Sequence, residues 1–311
     1  MKNKRILFIT GILLFLYYGL KAEDIGTTSG ITLLQPVSAR ASATAQTSLT
    51  LLKDVSILNY NPSGLTSLKQ PQFNFMYQRG LYKDKLASMI YGKKNMGFGI
   101  QYYDTGKLEM YNADGDPVIE TGKKDIIITV GGGENLGELS GKSGLEKISI
   151  GGNIKFISSE VFGIGASAFA VDAGGYCRLM KDKLNKLNAG ISVQNIGGKL
   201  KYLENEENLP VTARLEIGYC RMFSGDKLNI GFDMPYNINE EEIFMALGGE
   251  YTYKNMVTAR TGVELNLSGT ENDSAFNFGI GINLSRYSID YSVGLTDALD
   301  MPQRIGLRIK Y

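Results

Sequence analysis

The sequence predicts an all-β protein, a transmembrane antiparallel β-barrel of about 14 strands. Three observations carry that expectation: a two-residue apolar alternation from Pro71 onward, tight turns that alternate with longer connections, and a last segment that is itself a strand. Side chains alternate faces along a strand, so a period of two marks a sheet with one apolar and one polar face. Phe276, Phe278, Ile280, Ile282 and Leu284 interleave with Asn277, Gly279, Gly281 and Asn283. No stretch of this region shows a 3.6-residue period.

Residues 1–22 read as an export signal: Lys2, Lys4 and Arg5 precede the apolar run Ile6 to Leu20, and the segment ends near Ala22. Residues 23–71 form a second segment, rich in Ala, Ser, Thr and Leu. It holds Ser38-Ala-Arg-Ala-Ser-Ala43 and then Asp54 to Leu65, with Asn61-Pro62-Ser63-Gly64 inside it. Asp54 suits the N-cap of a short helix, and Asn61, Pro62 and Gly64 suit a type I turn that ends it. Residues 72–311 supply the strands, which start near residues 72, 85, 95, 122, 145, 165, 186, 211, 226, 242, 255, 274, 286 and 303.

The connections separate a barrel from a sandwich. Turns at Lys93–Asn95, Ser224–Asp226, Lys254–Asn255 and Ser285–Arg286 are hairpin-tight. Residues 104–121, 158–164, 197–210, 235–241, 267–273 and 296–302 read as longer loops. Short turns at one end and long loops at the other are the habit of outer-membrane barrels, with the short turns and both termini periplasmic. A soluble sandwich has no reason to sort its connections by end. In the last strand Ile305, Leu307, Ile309 and Tyr311 share one face, and Arg304, Gly306, Arg308 and Lys310 the other. Gly306, Ile309 and Tyr311 fit a barrel-closing signal presented to the assembly machinery, and this strand is expected to pair with the first near Phe73 to Tyr77.

Composition excludes more than it assigns. The 311 residues hold 33 Lys+Arg against 32 Asp+Glu, which argues against nucleic acid as a partner. There is no histidine, so general-base hydrolysis of the usual kind has no base, and a zinc site would rest on Cys177 and Cys220 alone, on opposite faces of their strands. No metal, cofactor or enzymatic activity is expected. Gly163 to Ala168 mimics a dinucleotide fingerprint and Val130 to Glu134 a phosphate loop, but neither follows a buried strand and opens a helix; both read as hairpin glycines that also relieve crowding inside a barrel.

With the apolar parity toward lipid, the lumen receives Asp172, Arg178, Glu216, Asp233, Glu250, Glu264, Asp290 and Lys310, and with them Arg214, Arg260 and Arg308. Mixed signs fit salt bridges between neighbouring strands; the sharper reading makes those arginines contacts for a carboxylate-headed ligand.

Several motifs resemble the PorV/PorQ proteins of the FadL-type superfamily. They are the Ala-Arg-Ala and Asn-Pro-Ser-Gly-Leu stretches, Val193-Gln-Asn-Ile-Gly-Gly198 with Leu209-Pro-Val-Thr-Ala-Arg214, Glu250-Tyr-Thr-Tyr-Lys-Asn255 with Arg260, and Pro302-Gln-Arg-Ile-Gly306. The chain departs from that pattern at Ser63, Gln303, Gly306 and Tyr311. The resemblance implies an outer-membrane barrel whose N-terminal segment, with Asp54, Asn61, Pro62, Ser63 and Gly64, folds inside as a hatch. It implies one of two functions. One is passage of long-chain fatty acids or other hydrophobic molecules through the barrel. The other is a PorV-like role that docks secretion-system proteins, with outer-membrane lipids as the surroundings in both cases.

Overall fold

The computed structural model describes residues 28–80, 84–111, 117–141, 144–268, 274–296 and 301–311. The export signal of residues 1–22 lies outside them. Fourteen antiparallel strands close into one barrel. In chain order they are β1 (Gln72–Arg79), β2 (Lys85–Lys93), β3 (Met96–Asp104), β4 (Lys123–Asn135), β5 (Ile148–Val161), β6 (Ile164–Lys181) and β7 (Asn185–Gly197). The second half comprises β8 (Thr212–Met222), β9 (Lys227–Asn237), β10 (Glu242–Tyr253), β11 (Val257–Asn266), β12 (Ser274–Leu284), β13 (Tyr287–Thr296) and β14 (Gln303–Lys310). Each pairs with its sequence neighbour, and β14 returns to β1 with Ile309 opposite Phe73 and Ile305 opposite Tyr77. Closure leaves no strand edge bare, the condition for backbone that faces lipid.

Parity decides which face meets what. Phe276, Phe278, Ile280 and Ile282 on β12, and Tyr287, Ile289 and Tyr291 on β13, are all exposed on the outside. Ser288, Asp290, Ser292, Arg304 and Arg308 on β13 and β14 are buried within. An apolar belt around a polar interior is the inverse of a water-soluble protein and suits a bilayer. Such barrels resist SDS until heated, so the purified protein is expected to run at different positions in boiled and unboiled lanes; a single position would count against a closed barrel.

The turns separate into two ends. At the end that holds Pro71 and Tyr311, here the terminal end, the connections 94–95, 182–184, 223–226, 254–256 and 285–286 are tight, and 136–147 contains a short helix, Leu136–Ser140. The opposite end, the loop end, carries two small extra hairpins, Lys107–Tyr111 with Pro117–Thr121 and Leu200–Tyr202 with Asn205–Glu207. The loop expected over 158–164 is instead a two-residue turn. Strands β5 and β6 run on to Val161 and Ile164, and Phe162 and Gly163 both have positive φ (49° and 79°). That is the backbone of a primed hairpin turn, whose twist matches the strands it joins. Polar Ser158, Ser159 and Glu160 looked like loop chemistry because this hairpin outgrows the ~9–11 residues needed to cross a bilayer.

Residues 29–70 lie inside the barrel as short helical turns: Ile31–Leu34, Ala39–Ala43, Ser48–Leu51, Val55–Asn59 and Pro62–Ser67. Asp54 caps its turn by accepting from the Ser56 amide. The turn that Asp54 starts ends at Asn59, as expected, and Asn61 to Gly64 forms the expected turn (Gly64 amide to Asn61 carbonyl, 2.9 Å), which also opens a further helical turn: Asn61 accepts from the Ser63 amide and Pro62 stands where no N–H is needed. Val37, Leu51, Val55, Ile57, Leu58, Leu65 and Ile90 form an apolar core within this segment and against β2.

Candidate functional site

The barrel interior holds its N-terminal segment by two different chemistries. Residues 39–54 are latched by charge. Arg40 donates from Nε to Glu250 Oε2 (2.8 Å) and from Nη2 to Glu250 Oε1 (3.0 Å). Its Nη1 donates to Asp54 Oδ2 (2.9 Å) and its Nη2 to the Thr50 carbonyl (3.0 Å). Arg308 of β14 meets the same Asp54 carboxylate. Arg260 bridges Glu250 (2.7 Å) and Asp290 (2.8 Å), and Asn229 donates to Glu250 (2.7 Å). The cluster therefore ties the segment to β9, β10, β11, β13 and β14 at once. Buried charges are tolerable only when paired and hydrogen-bonded in this way.

A second ionic contact lies on β8 and β9. Asp233 accepts from the Ser48 amide (2.9 Å) and from Arg214 (3.3 Å), and Arg214 also reaches the Gln46 carbonyl (3.4 Å). Arg214, Arg260 and Arg308 thus all point inward, and each meets a protein carboxylate.

Between these contacts the wall makes room with glycine. A Cβ on Gly218 would lie 2.6 Å from Leu49 Cβ, one on Gly231 2.5 Å from Thr50 Cγ2, and one on Gly279 2.5 Å from Ala43 Cβ. Gly218 pairs with Gly231, Gly231 with Gly248 and Gly248 with Gly262, so the glycines form one continuous groove. Gly306 of the terminal strand belongs to the same seat, close to Ala39. Ile309 and Tyr311 face outward at the terminal end.

Residues 57–64 are held without charge pairs of their own. Asn61 donates from Nδ2 to Glu216 Oε2 (2.7 Å) and lies near the carbonyls of Gly175 (3.4 Å) and Ile191 (3.3 Å). Gln194 donates to the carbonyls of Asn59 (2.6 Å) and Tyr60 (2.8 Å), and Asn153 to that of Leu58 (2.5 Å). Pro62 and Ser63 press directly on the wall: a Cβ on Gly133 would lie 2.8 Å from the Pro62 carbonyl oxygen, and one on Gly151 2.6 Å from the Pro62 carbonyl carbon.

The other side of that same wall is hollow. Met96, Gly132, Leu139, Ile150, Gly152, Ala173, Gly175, Ile191 and Val193 surround an apolar depression of about 850 Å³. Gly132 pairs with Gly152, and Gly151 with Gly174, so both faces of the sheet are bare here and one backbone layer separates hollow from turn. The β6–β7 ladder loses register between Val171 and Ala173, beside the hollow. Asn61 contacts a carbonyl on each side of that seam from within.

Sequence reasoning identified Asp54 as a cap and Asn61-Pro62-Ser63-Gly64 as a turn, but missed Arg40 as the centre of the latch. A signal was present: Arg40 is the one charged residue between Ile25 and Leu52. A lone arginine in a buried uncharged run requires partners from elsewhere in the fold.

No family model matches the chain, and no curated protein does. Solved structures do. The CymD monoaromatic hydrocarbon channel superposes with a TM-score of 0.57 at 10% identity, covering 88% of this chain and 97% of that one. The Pseudomonas putida toluene transporter TodX gives 0.57 at 10% identity, with 88% and 98% covered. A Pseudomonas aeruginosa FadL homologue gives 0.54 at 11% identity, with 88% and 98% covered. The likeness is one of fold, the FadL-type barrel, and does not single out the PorV/PorQ branch.

Proposed function

We propose that the protein is an outer-membrane channel for hydrophobic small molecules, with residues 29–70 as its hatch and both termini periplasmic. The observation that carries this reading is the apolar hollow of about 850 Å³ backed by a glycine-rich wall, with the Asn61–Ser63 turn seated behind it. An apolar solute partitions from lipid into such a hollow at little cost, since apolar side chains and bare backbone make up most of its lining. The printed names of the structural neighbours, a monoaromatic hydrocarbon channel and a toluene transporter, support the same cargo class. Long-chain fatty acids belong to that class too.

The test is transfer of an apolar fluorophore across proteoliposomes that contain the purified barrel. Gly175 faces the hollow, and a Cβ there would meet nothing closer than 3.4 Å. Gly175→Leu is therefore expected to fill the hollow, reduce transfer severalfold and leave heat-modifiable migration unchanged. Transfer equal to that of empty liposomes in the unaltered protein sinks the channel reading. The alternative, a barrel that docks secretion-system proteins, takes its place if a stoichiometric protein partner co-purifies from outer membranes.

A further inference from the structure

We propose that the terminal mouth of the barrel is a binding site for a small multivalent anion, a phosphate or a cluster of carboxylates, held by the inward-facing Lys186, Lys227 and Lys310 together with Lys53 at the rim. The inference rests on the barrel and its N-terminal segment and is independent of the hydrophobic cargo.

Register places these lysines. Lys186 opens β7 on the face shared by buried Asn188 and Ser192, and it pairs with Cys220. Cys220 pairs in turn with Asn229, and Lys227 stands two residues toward the mouth on the same inward face. Lys310 shares its face with Arg304 and Arg308 and pairs with Gln72, whose amide donates to the Lys53 carbonyl (2.8 Å). Lys53 itself has a left-handed backbone (φ 73°), which turns the chain at the mouth.

The ammonium groups lack counter-ions. None of the four forms an ion pair among the described residues. The acids one layer deeper, Asp54 and Glu250, are already engaged by Arg40 with Arg308 and by Arg40 with Arg260. The acids in the adjacent turns are engaged as well. Asp182 accepts from the Leu184 and Asn185 amides, and Asp226 from the Lys254 amide and the Tyr251 hydroxyl. Partial burial, then the neighbouring Lys186, Lys227 and Lys69, push the Lys53 ammonium down to about 8. Like charges gathered in a partly desolvated mouth repel one another, and an anion of more than one charge relieves several of them together. Lys186, Lys227 and Lys310 are half-buried inside the rim, which favours a small anion over the flat surface of a protein.

Cys220 is a built-in reporter because it lies on the inward face between Lys186 and Lys227, whereas Cys177 lies on the outward face of β6. The full-length protein in neutral detergent is treated with an anionic or a cationic methanethiosulfonate reagent, and labelling at each cysteine is read by peptide mass spectrometry. The anionic reagent is expected to modify Cys220 about tenfold faster than the cationic one, the scale of electrostatic focusing in a charged cleft. Millimolar pyrophosphate is expected to remove that preference, and so is K186Q/K227Q, while Cys177 shows no such dependence. Equal rates at Cys220, or a preference that pyrophosphate leaves intact, overturns the proposal. Where Cys220 resists both reagents, calorimetric titration with pyrophosphate decides: saturable heat that K186Q/K227Q abolishes supports the site, and its absence in the unaltered protein overturns it.

Discussion

Asp54→Asn is expected to destabilise the N-terminal segment by about 3–5 kcal/mol, the range for removing one partner of a buried ion pair. Asp54 is fully buried and carries two guanidinium groups, Arg40 at 2.9 Å and Arg308 beside it. The amide keeps the cap, because an oxygen still accepts from the Ser56 amide. What it loses is the charge, and Arg40 and Arg308 are left facing each other across a neutral group. Arg40 keeps its two bonds to Glu250, so Arg308 becomes the stranded cation. The double variant D54N/R308Q removes it and is expected to recover part of the loss. Limited proteolysis of residues 29–70, followed with thermal unfolding, reads the effect, and heat-modifiable migration checks that the barrel still closes. A D54N protein whose N-terminal segment resists protease as well as the unaltered one would falsify the latch.

The barrel was legible because its signal is periodic and local. Strands expected near 72, 85, 242, 274 and 303 begin at those residues, and the last strand pairs with the first across Phe73 to Tyr77, as closure of the sheet requires. Pairings between neighbouring strands, such as Glu250 with Arg260, were legible for the same reason: short hairpins fix the register. The seat of the N-terminal segment was not legible. Asn61 meets Glu216 across 155 residues, and Arg40 meets Glu250 across 210, separations that no local pattern encodes. That inward glycines leave room for such a segment follows from parity, but the groove itself appears only when Gly218, Gly231, Gly248 and Gly262 align on adjacent strands. Of the lysines at the terminal mouth, Lys310 is placed inward by the parity of its strand, whereas Lys53 lies outside any strand and reaches that mouth only through the fold of the N-terminal segment.

Gly151→Val is expected to unseat the Asn61–Ser63 turn and make the barrel leak. Valine suits a strand, and Gly133 and Gly174 opposite it carry no side chain, so the ladder and closure should survive the small shift that moves the new Cβ off the Gly132 carbonyl oxygen, 2.8 Å away. Inside, the new Cβ would come within 2.6 Å of the Pro62 carbonyl carbon, which is backbone and cannot rotate away. The turn must lift off the wall at a cost of about 1–3 kcal/mol, the usual range for overpacking. Lifting it takes Asn61 from Glu216, which then keeps Ser192 as a donor while its cross-strand partner is the acid Asp233. The ion latch around Arg40 is on the far side and keeps residues 39–54 in place. The leak should therefore be partial: higher single-channel conductance in planar bilayers, without the protease sensitivity expected of D54N. Gly175→Leu, placed outward near the same seam, is the control that alters the hollow without touching the turn. If G151V conducts no more than the unaltered protein, the turn is not what seals this stretch of wall, and the glycines there serve the hollow alone.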